Sequence, residues 1–369
     1  MQPTSVLGQQ SYRIGTDKVE AWITQTGGHV APIKFELPTG TVEPFSVAPW
    51  AEEDPQIPAI LKVLRGDFFC MPFGGNDAPF GTEQHPIHGE TANEDWTVEE
   101  TTQTGIKMSL DTKIRPAHVE KQVWTVPGQA AIYQRHIVSE AEGPMCFGHH
   151  AMLKFKTKGY VSVAPFAFGQ VFPGQFEDPI LGGYSSLKPG ARFTSLSEVP
   201  SNDGTLADLT SYPAREGFED LVMVYANPES LLGWTAVHFA DERYIWFSLK
   251  DPRVLTGTVM WHSNGGRHYA PWSSRHRGVL GLEEVTSSFH WGLAGSVAES
   301  DARTEGFRTY VDLDPQRPLV VNTIMGVAAA DGFLGPVADI FRNSEGITLV
   351  DASGTKIDVR IDVDSLWGS

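Results

Sequence analysis

Side chains that could bind or polarise a ligand are crowded into the segment from Leu64 to Trp96 of this 369-residue chain. Arg65, His85 and His88 lie there among glycines and prolines. Glycine and proline let a chain turn where helices and strands cannot continue, and side chains on such loops can converge on one ligand above a rigid scaffold. The segment therefore predicts part of a binding or catalytic site.

Two further segments place titratable side chains beside probable strands. His149 and His150 enter the apolar run of CFGHHAMLKF, and Glu283 and Glu284 follow one in RGVLGLEEVTSSFHW. A carboxylate at the end of an apolar strand is costly unless it is paired or needed for function. Because neighbouring residues of a strand point to opposite faces, only one member of each pair should enter any one cleft. These segments hold chemistry that could meet in space.

The elements that must position these residues are predicted to be short β-strands. Apolar residues alternate with period two in VEAWITQT, APIKFELP, RYIWFSLK and KIDVRIDV, and Pro127-Gly128 separates two strand-forming runs as in a hairpin. The 37 glycines and 25 prolines divide many short strands, which favours a large antiparallel sandwich or barrel over alternating βα units. The best helical signals, ADIFRNSEG and ESDARTEGFRTY, are both short.

The length allows either two domains or one large β domain, and because the sequence shows no linker we expect a single domain over residues 1–369, in which 331–369 could form an extra C-terminal hairpin or lobe. The 28 Lys+Arg against 45 Asp+Glu give a formal charge of -17, which disfavours nucleic acid and anionic membranes as partners. No targeting segment or long apolar stretch is evident, and the two cysteines form no CxxC pair. We therefore expect a cytoplasmic protein; the oligomeric state is not predicted.

Taken in order, these residues resemble the galactose mutarotase (aldose 1-epimerase) superfamily. The resemblance rests on short motifs in sequence order: Arg65, His88-Gly89 followed by Trp96, His150 opening HAMLKF, and Glu283 in GLEE. GGHVAPIKFELP is similar to the superfamily's first hairpin, and GDFFCMPFG, GGRHYAPW and GVLGLEE are similar to its less characterised epimerase-like branches. The likeness extends roughly from Val19 to Val327. It implies an all-β fold, a large antiparallel β-supersandwich.

The resemblance implies an aldose 1-epimerase, which interconverts the α and β anomers of a sugar by opening and closing the pyranose ring. Glu283 would be the base that takes the proton of the C1 hydroxyl, and His150 the acid that protonates the ring oxygen. We expect a neighbouring carboxylate to raise the pKa of His150, so that a protonated imidazole and an ionised glutamate coexist. The partner would be a monosaccharide or sugar derivative, and no metal or organic cofactor is required.

The resemblance also implies side chains that would hold the sugar through hydroxyl contacts and through stacking on tryptophan faces. These candidates are Arg65, His88, Trp96, Asp241, Trp261, Asn264, Arg267 and Trp272. Asp241 is chosen by its order in the chain as the nearest equivalent of the superfamily's sugar-binding aspartate. The motif at His150 departs from the superfamily, whose acid histidine is followed two residues later by an aromatic residue where this chain has Met152.

Several alternatives remain open at the level of sequence. His149 could replace its neighbour as the acid, and the protein could be a catalytically silent sugar-binding protein on the same fold. Arg65 and Arg267 would suit a phosphorylated or acidic sugar. Glycan cleavage would need a second carboxylate, which no motif positions. A zinc site is a further alternative, although Pro86 opposes the helix that would align two of its four candidate ligands, which are His85, His88, His149 and His150.

Overall fold

The computed structural model describes residues 2–53 and 56–368, and regular structure in this part of the chain is almost entirely antiparallel β-strand. The helices are short: α1 (Ala59–Val63), α2 (Gly292–Val297) and α3 (Asp301–Thr304), with 3-10 turns at Glu90–Ala92, Pro179–Leu181 and Val363–Leu366. No helix within these ranges is long and apolar enough to cross a membrane. The prediction of an all-β fold is confirmed.

The strands of the first half of the chain are β1 (Thr4–Val6), β2 (Gln9–Gly15), β3 (Val19–Thr24), β4 (Val30–Leu37), β5 (Gly40–Val42), β6 (Phe69–Cys70), β7 (Thr97–Thr101), β8 (Gly105–Thr112), β9 (Ala117–Thr125), β10 (Ala131–Ser139), β11 (Gly143–Met145), β12 (Phe147–His149), β13 (Ala151–Lys154), β14 (Gly159–Val163) and β15 (Phe166–Val171). Those of the second half are β16 (Arg192–Phe193), β17 (Val199–Pro200), β18 (Leu206–Ala207), β19 (Ser211–Tyr212), β20 (Glu219–Ala226), β21 (Gly233–Phe239), β22 (Tyr244–Lys250), β23 (Gly257–Ser263), β24 (Val279–Thr286), β25 (Val311–Leu313), β26 (Leu319–Ala329), β27 (Val337–Arg342), β28 (Gly346–Asp351) and β29 (Lys356–Arg360).

Two large antiparallel sheets form the body of the molecule. The nine-stranded sheet has the order β19-β14-β21-β22-β26-β10-β9-β8-β7, and the eight-stranded sheet has the order β16-β15-β20-β23-β24-β12-β6, with β13 also paired to β24. An ion pair joins the two sheets, between Lys250 of β22 and Glu284 of β24. Apolar residues of both sheets share one core cluster, so the sheets pack face to face as a sandwich.

The nine-stranded sheet is covered on its outer face as well, which explains why β22 is buried on both sides. Trp246 belongs to the core between the large sheets, whereas Ile245 and Phe247 belong to a second core cluster. Ile347 and Leu349 of β28 lie in that second cluster. Residues 337–360 form a three-stranded sheet, β27-β28-β29, and this sheet packs on the body.

Strand β27 corrects the prediction of a helix in ADIFRNSEG. Val337 and Ile340 are buried three residues apart and the residues between them are exposed, which imitates helical spacing. The cause is a β-bulge that shifts the register between Val337 and Asp339 and so breaks the two-residue alternation of a strand. The second helical signal is partly right, because α3 forms within it. The predicted strands in VEAWITQT, APIKFELP and RYIWFSLK, the β9–β10 hairpin and the KIDVR part of KIDVRIDV are confirmed.

Candidate functional site

A cavity of about 270 Å³ opens on the face of the eight-stranded sheet that points away from the nine-stranded sheet. Leu221 of β20 and Trp261 of β23 are cross-strand neighbours that line it, and Gly281 of β24 is the next cross-strand neighbour of Trp261. Glu283 lies two residues further along β24, on the same face. His150 follows β12 and lines the cavity beside Glu283.

The alternation expected of strands selects one residue from each predicted pair. His150 and Glu283 line the cavity. His149 points into the sandwich, where its Nδ1 lies 2.8 Å from Asp67 Oδ2, and Glu284 points inward to Lys250. The opposite orientation of adjacent residues is therefore confirmed, and the structure brings together the histidine and the glutamate named from the sequence.

His150 and Glu283 face each other with no fixed charge to balance them. His150 Nε2 lies 3.5 Å from Glu283 Oε1, and both residues are buried. Burial lowers the pKa of His150 to about 3 and raises the pKa of Glu283 well above its ordinary value. The expectation that a neighbouring carboxylate raises the pKa of His150 is thus wrong, because desolvation of the buried imidazole lowers that pKa. Both groups favour their neutral forms, so one proton lies on Glu283.

Aromatic rings hold the imidazole of His150 in place. Phe68 stacks on it with ring centroids 4.6 Å apart, and His88 meets it edge to face at 4.8 Å. His88 also lines the cavity and has a backbone φ of 61°, and its backbone N–H donates to Gly74 O at 2.7 Å. The Nδ1 atom of His150 has no hydrogen-bond partner among the described residues. Packing, rather than hydrogen bonding, fixes the orientation of this ring.

The glycine in GLEE makes room for the carboxylate that follows it. A Cβ added to Gly281 would lie 2.4 Å from Glu283 Oε1 and 3.1 Å from the Cβ of Trp261. Contacts that short do not occur between unbonded atoms, so any side chain at Gly281 would displace the Glu283 carboxyl group. Gly281 therefore allows Glu283 to fold back over the sheet beside Trp261.

Two of the three tryptophans considered as sugar platforms line the cavity, Trp261 and Trp272. Arg267 lines it as well, with its guanidinium carbon 4.4 Å from the ring centroid of Trp272 and 5.3 Å from that of Trp261. Such stacking holds the guanidinium plane in one orientation. Its Nε donates to Glu177 Oε1 at 2.6 Å. The sequence identified this arginine but gave no sign of its carboxylate partner.

Arg65 does not line the cavity, which corrects its assignment as a sugar-binding residue. Its side chain is fully buried and donates to the backbone carbonyls of Val63, Val6 and Leu7 at 3.1, 3.0 and 2.8 Å. Arginine has five N–H donors and no acceptor, so a buried guanidinium needs several oxygens around it. Arg65 instead fastens the first strands to the loop after α1.

Three other predicted contacts also lie away from the cavity. Trp96 is buried and donates from Nε1 to Thr91 O at 2.9 Å, so it is a core residue. Asn264 donates to Ala214 O at 3.0 Å and accepts from the backbone N–H of Gly278 at 3.1 Å, so it braces loops. Asp241 is exposed on the turn between β21 and β22, in the nine-stranded sheet.

Three of the four imidazoles proposed as zinc ligands lie beside different carboxyl groups. His85 Nε2 lies 2.9 Å from Glu83 Oε2, His149 bonds to Asp67 inside the sandwich, and His150 faces Glu283. Within residues 2–53 and 56–368, no group of three His, Cys, Asp or Glu side chains is arranged to hold a metal ion. The geometry does not bring the four together.

The cavity also contains residues that sequence reasoning did not single out. Asp77 and His290 line one side, and Tyr269 lies beside Arg267. His290 lies in SSFHW, shortly after Glu283, and Tyr269 lies in GGRHYAPW, two residues after Arg267. Their closeness in sequence to these candidate site residues could have identified them. The aliphatic wall had no such signal and consists of Ile60, Leu61, Leu64, Ile87 and Leu221.

Comparison with known proteins gives a match at the level of structure. No family model matches the sequence, and no curated protein is similar to it in sequence. An Escherichia coli K12 protein described as a candidate aldose 1-epimerase superposes with a TM-score of 0.60 at 10% identity, covering 87% of this chain and 100% of its own. A galactose mutarotase related enzyme from Lactobacillus acidophilus superposes with a TM-score of 0.56 at 15% identity, covering 87% and 98%.

A galactose mutarotase-like protein from Lactobacillus casei is similar to the same degree, with a TM-score of 0.57 at 11% identity over 86% of this chain and 100% of its own. The chain therefore has the galactose mutarotase-like fold, a large antiparallel β-supersandwich. At identities this low the likeness establishes the fold, and the activity must be argued from the site.

Proposed function

We propose that the protein is an aldose 1-epimerase, which interconverts the α and β anomers of a monosaccharide by acid/base opening and closing of the ring. The observation that carries the proposal is the pairing of His150 and Glu283 at 3.5 Å in a cavity that Trp261 and Trp272 also line. Ring opening removes a proton from the C1 hydroxyl and delivers one to the ring oxygen, and an imidazole with a carboxyl group can do both.

The protonation of the pair is compatible with this cycle. Ring opening begins once the single shared proton has passed from Glu283 to His150, which leaves Glu283 ionised and His150 protonated. As the ring opens, Glu283 takes the C1 hydroxyl proton and His150 gives its proton to the ring oxygen, so both become neutral, the form that burial favours. After rotation about C1–C2, closure on the other face of the carbonyl reverses both transfers.

Other cavity residues would hold the sugar. His88 lies against His150 and could bond a hydroxyl next to the reacting carbon. Trp261 and Trp272 line the cavity, so the ring atoms that Arg267 leaves uncovered would contact the apolar C–H groups of a pyranose. Arg267 spans both tryptophans and its remaining N–H groups could donate to hydroxyls.

The test is polarimetry of freshly dissolved α-aldoses, with a panel of hexoses and pentoses because the sugar is not identified. The wild type should accelerate mutarotation of at least one of them, and Glu283→Gln and His150→Asn should each lose about 10²–10⁴-fold in rate, the usual contribution of a positioned acid or base. Glu216→Gln is a matched control, because that exposed carboxylate pairs with Arg277 on the surface. Equal rates for the wild type and Glu283→Gln would contradict the assignment of the base.

A sugar-binding protein without activity would give a different result. Calorimetry would then detect aldose binding to the wild type while polarimetry showed no acceleration of anomer exchange with any sugar in the panel. That outcome would replace the proposed activity with the binding role that this fold also permits.

A further inference from the structure

The cavity wall carries one permanent cation, and that cation is already paired. Among the described residues that line the cavity, Arg267 is the only lysine or arginine. Its Nε donates to Glu177 Oε1 at 2.6 Å, and the hydroxyl of Tyr269 donates to Glu177 Oε2 at 3.1 Å. Both oxygens of the Glu177 carboxylate are therefore bound by side chains that line the cavity.

Glu177 is built into this position. Its side chain is 3% exposed and that of Arg267 is 16% exposed. Gly183 leaves the space that Glu177 needs, since a Cβ there would lie 2.4 Å from Glu177 Oε2. A carboxylate this deeply buried is costly without a cation beside it, so the two charges stay together.

Among the other described residues that line the cavity, none supplies positive charge near neutral pH. Burial lowers the pKa of His88 well below its ordinary value, that of His150 to about 3 and that of His290 to about 4, so these imidazoles are neutral. Asp77 is an exposed carboxylate at the mouth. An anionic ligand would therefore meet an arginine that Glu177 already neutralises and the negative charge of Asp77. Repulsion between like charges would oppose its binding.

We propose that Glu177 is a specificity-determining residue, which neutralises Arg267 and so makes the cavity select uncharged sugars and exclude sugars that carry a carboxylate or phosphate. The inference rests on the proposed function in one respect, that the ligand is a sugar. It answers an alternative left open by the sequence, in which Arg65 and Arg267 bind an acidic sugar. Arg65 is bonded to backbone carbonyls and Arg267 to Glu177.

The test compares sugars that differ only in charge at C6, with glucose against glucuronate and galactose against galacturonate, by isothermal titration calorimetry. The wild type should bind the hexuronate at least about tenfold more weakly than the matching hexose. Glu177→Gln keeps an acceptor for Arg267 and Tyr269 but removes the charge, so its affinity for the hexuronate should rise about tenfold. The double variant Glu177→Gln/Arg267→Met should lose that gain.

Two controls separate charge from shape. Tyr269→Phe removes a hydrogen bond to Glu177 but keeps its charge, so the preference for the hexose should persist. Glu216→Gln removes a carboxylate from an exposed pair with Arg277 and should also leave the preference unchanged.

The outcomes that overturn the inference do not depend on catalysis. A wild type that binds the hexuronate as tightly as the hexose contradicts it, whether or not Glu177→Gln folds. If the Glu177→Gln variant folds but binds the hexuronate no more tightly than the wild type does, the inference is also contradicted. This holds even if the wild type binds neither sugar. Absence of any mutarotation would count against the proposed activity alone, because charge selection is measured by binding.

Discussion

Adjacent residues of this chain form two histidine–glutamate sets on opposite faces of one sheet, and their surroundings differ. On the inner face, Glu284 pairs with Lys250 and accepts from Thr235 and Thr258 at 2.8 and 2.7 Å. His149 bonds to Asp67 at 2.8 Å. On the cavity face, the imidazole and carboxyl group lie 3.5 Å apart and no cation offsets the carboxyl group.

The difference shows what each face is suited to do. The inner set is bound by hydrogen bonds and an ion pair, so its contribution is to structure. In the cavity set, the Nδ1 atom of His150 has no hydrogen-bond partner among the described residues, and buried titratable groups that line a cavity can exchange protons with a bound molecule. Both sets contain a histidine and a glutamate, so residue type does not show which set is structural. The residues that surround each set on its face of the sheet make that distinction.

The largest effect on stability is expected from breaking the inner pair. Lys250→Met leaves Glu284 buried without its cation and should lower the free energy of unfolding by about 3–5 kcal/mol, measured by urea denaturation. The double variant Lys250→Met/Glu284→Gln should recover much of the loss, because the unpaired charge is gone. A single variant as stable as the wild type would contradict the structural role of this pair.

The two histidines should respond in opposite ways to the same substitution. His149→Asn breaks a bond to buried Asp67 and should cost about 1–3 kcal/mol in the free energy of unfolding. His150→Asn should change stability by less than about 1 kcal/mol but should remove the mutarotation proposed above. Urea denaturation and polarimetry on both variants measure the two effects. Similar losses of stability for both would contradict the division between the faces.

A methyl group added on each face should sharpen the contrast. Gly281→Ala places its Cβ against the Glu283 carboxyl group, whose flexible end can move, so stability should change little while kcat falls about tenfold or more. Gly233→Ala places its Cβ 2.8 Å from Lys250 Cγ on the inner pair. It should lower the melting temperature and leave the cavity unchanged. If Gly281→Ala retained full activity, the fit between Gly281 and Glu283 would not matter for catalysis.

The smallest effect is in the pH dependence of stability. Burial raises the pKa of Glu283 in the folded protein, so above its unfolded value near 4.5 the folded state binds more protons than the unfolded state, and stability falls as pH rises. Glu283→Gln removes this contribution. The difference in unfolding free energy between the variant and the wild type should therefore grow in favour of the variant from about pH 4.5 upward, as measured by urea denaturation across pH. A difference independent of pH would mean that the pKa of Glu283 is not raised.

Much of the fold and the central pair of the site followed from local patterns. Period-two alternation located β3, β4 and β22, and the same rule established that only one of His149 and His150 could enter the cavity. Where a bulge interrupts that period, at Val337 and Asp339, a strand was mistaken for a helix.

Two further errors come from contacts between residues far apart in the chain. Arg65 looked like a ligand residue, but carbonyls of Val6 and Leu7, 59 and 58 positions away, use its donors. Glu177 could not be found, because its partner Arg267 is 90 positions away and no motif marks it. Hydrogen-bond partners decide whether a buried polar residue is structural or free to bind, and the sequence does not list them.

The indole rings beside the cavity also provide an intrinsic fluorescence signal at the proposed site. Trp261 and Trp272 lie edge to face, 5.9 Å apart, and Trp261 stacks on His276 at 5.3 Å. A sugar seated on these rings would displace water from them and change their emission. Intrinsic fluorescence can therefore report ligand occupancy without a label and independently of turnover.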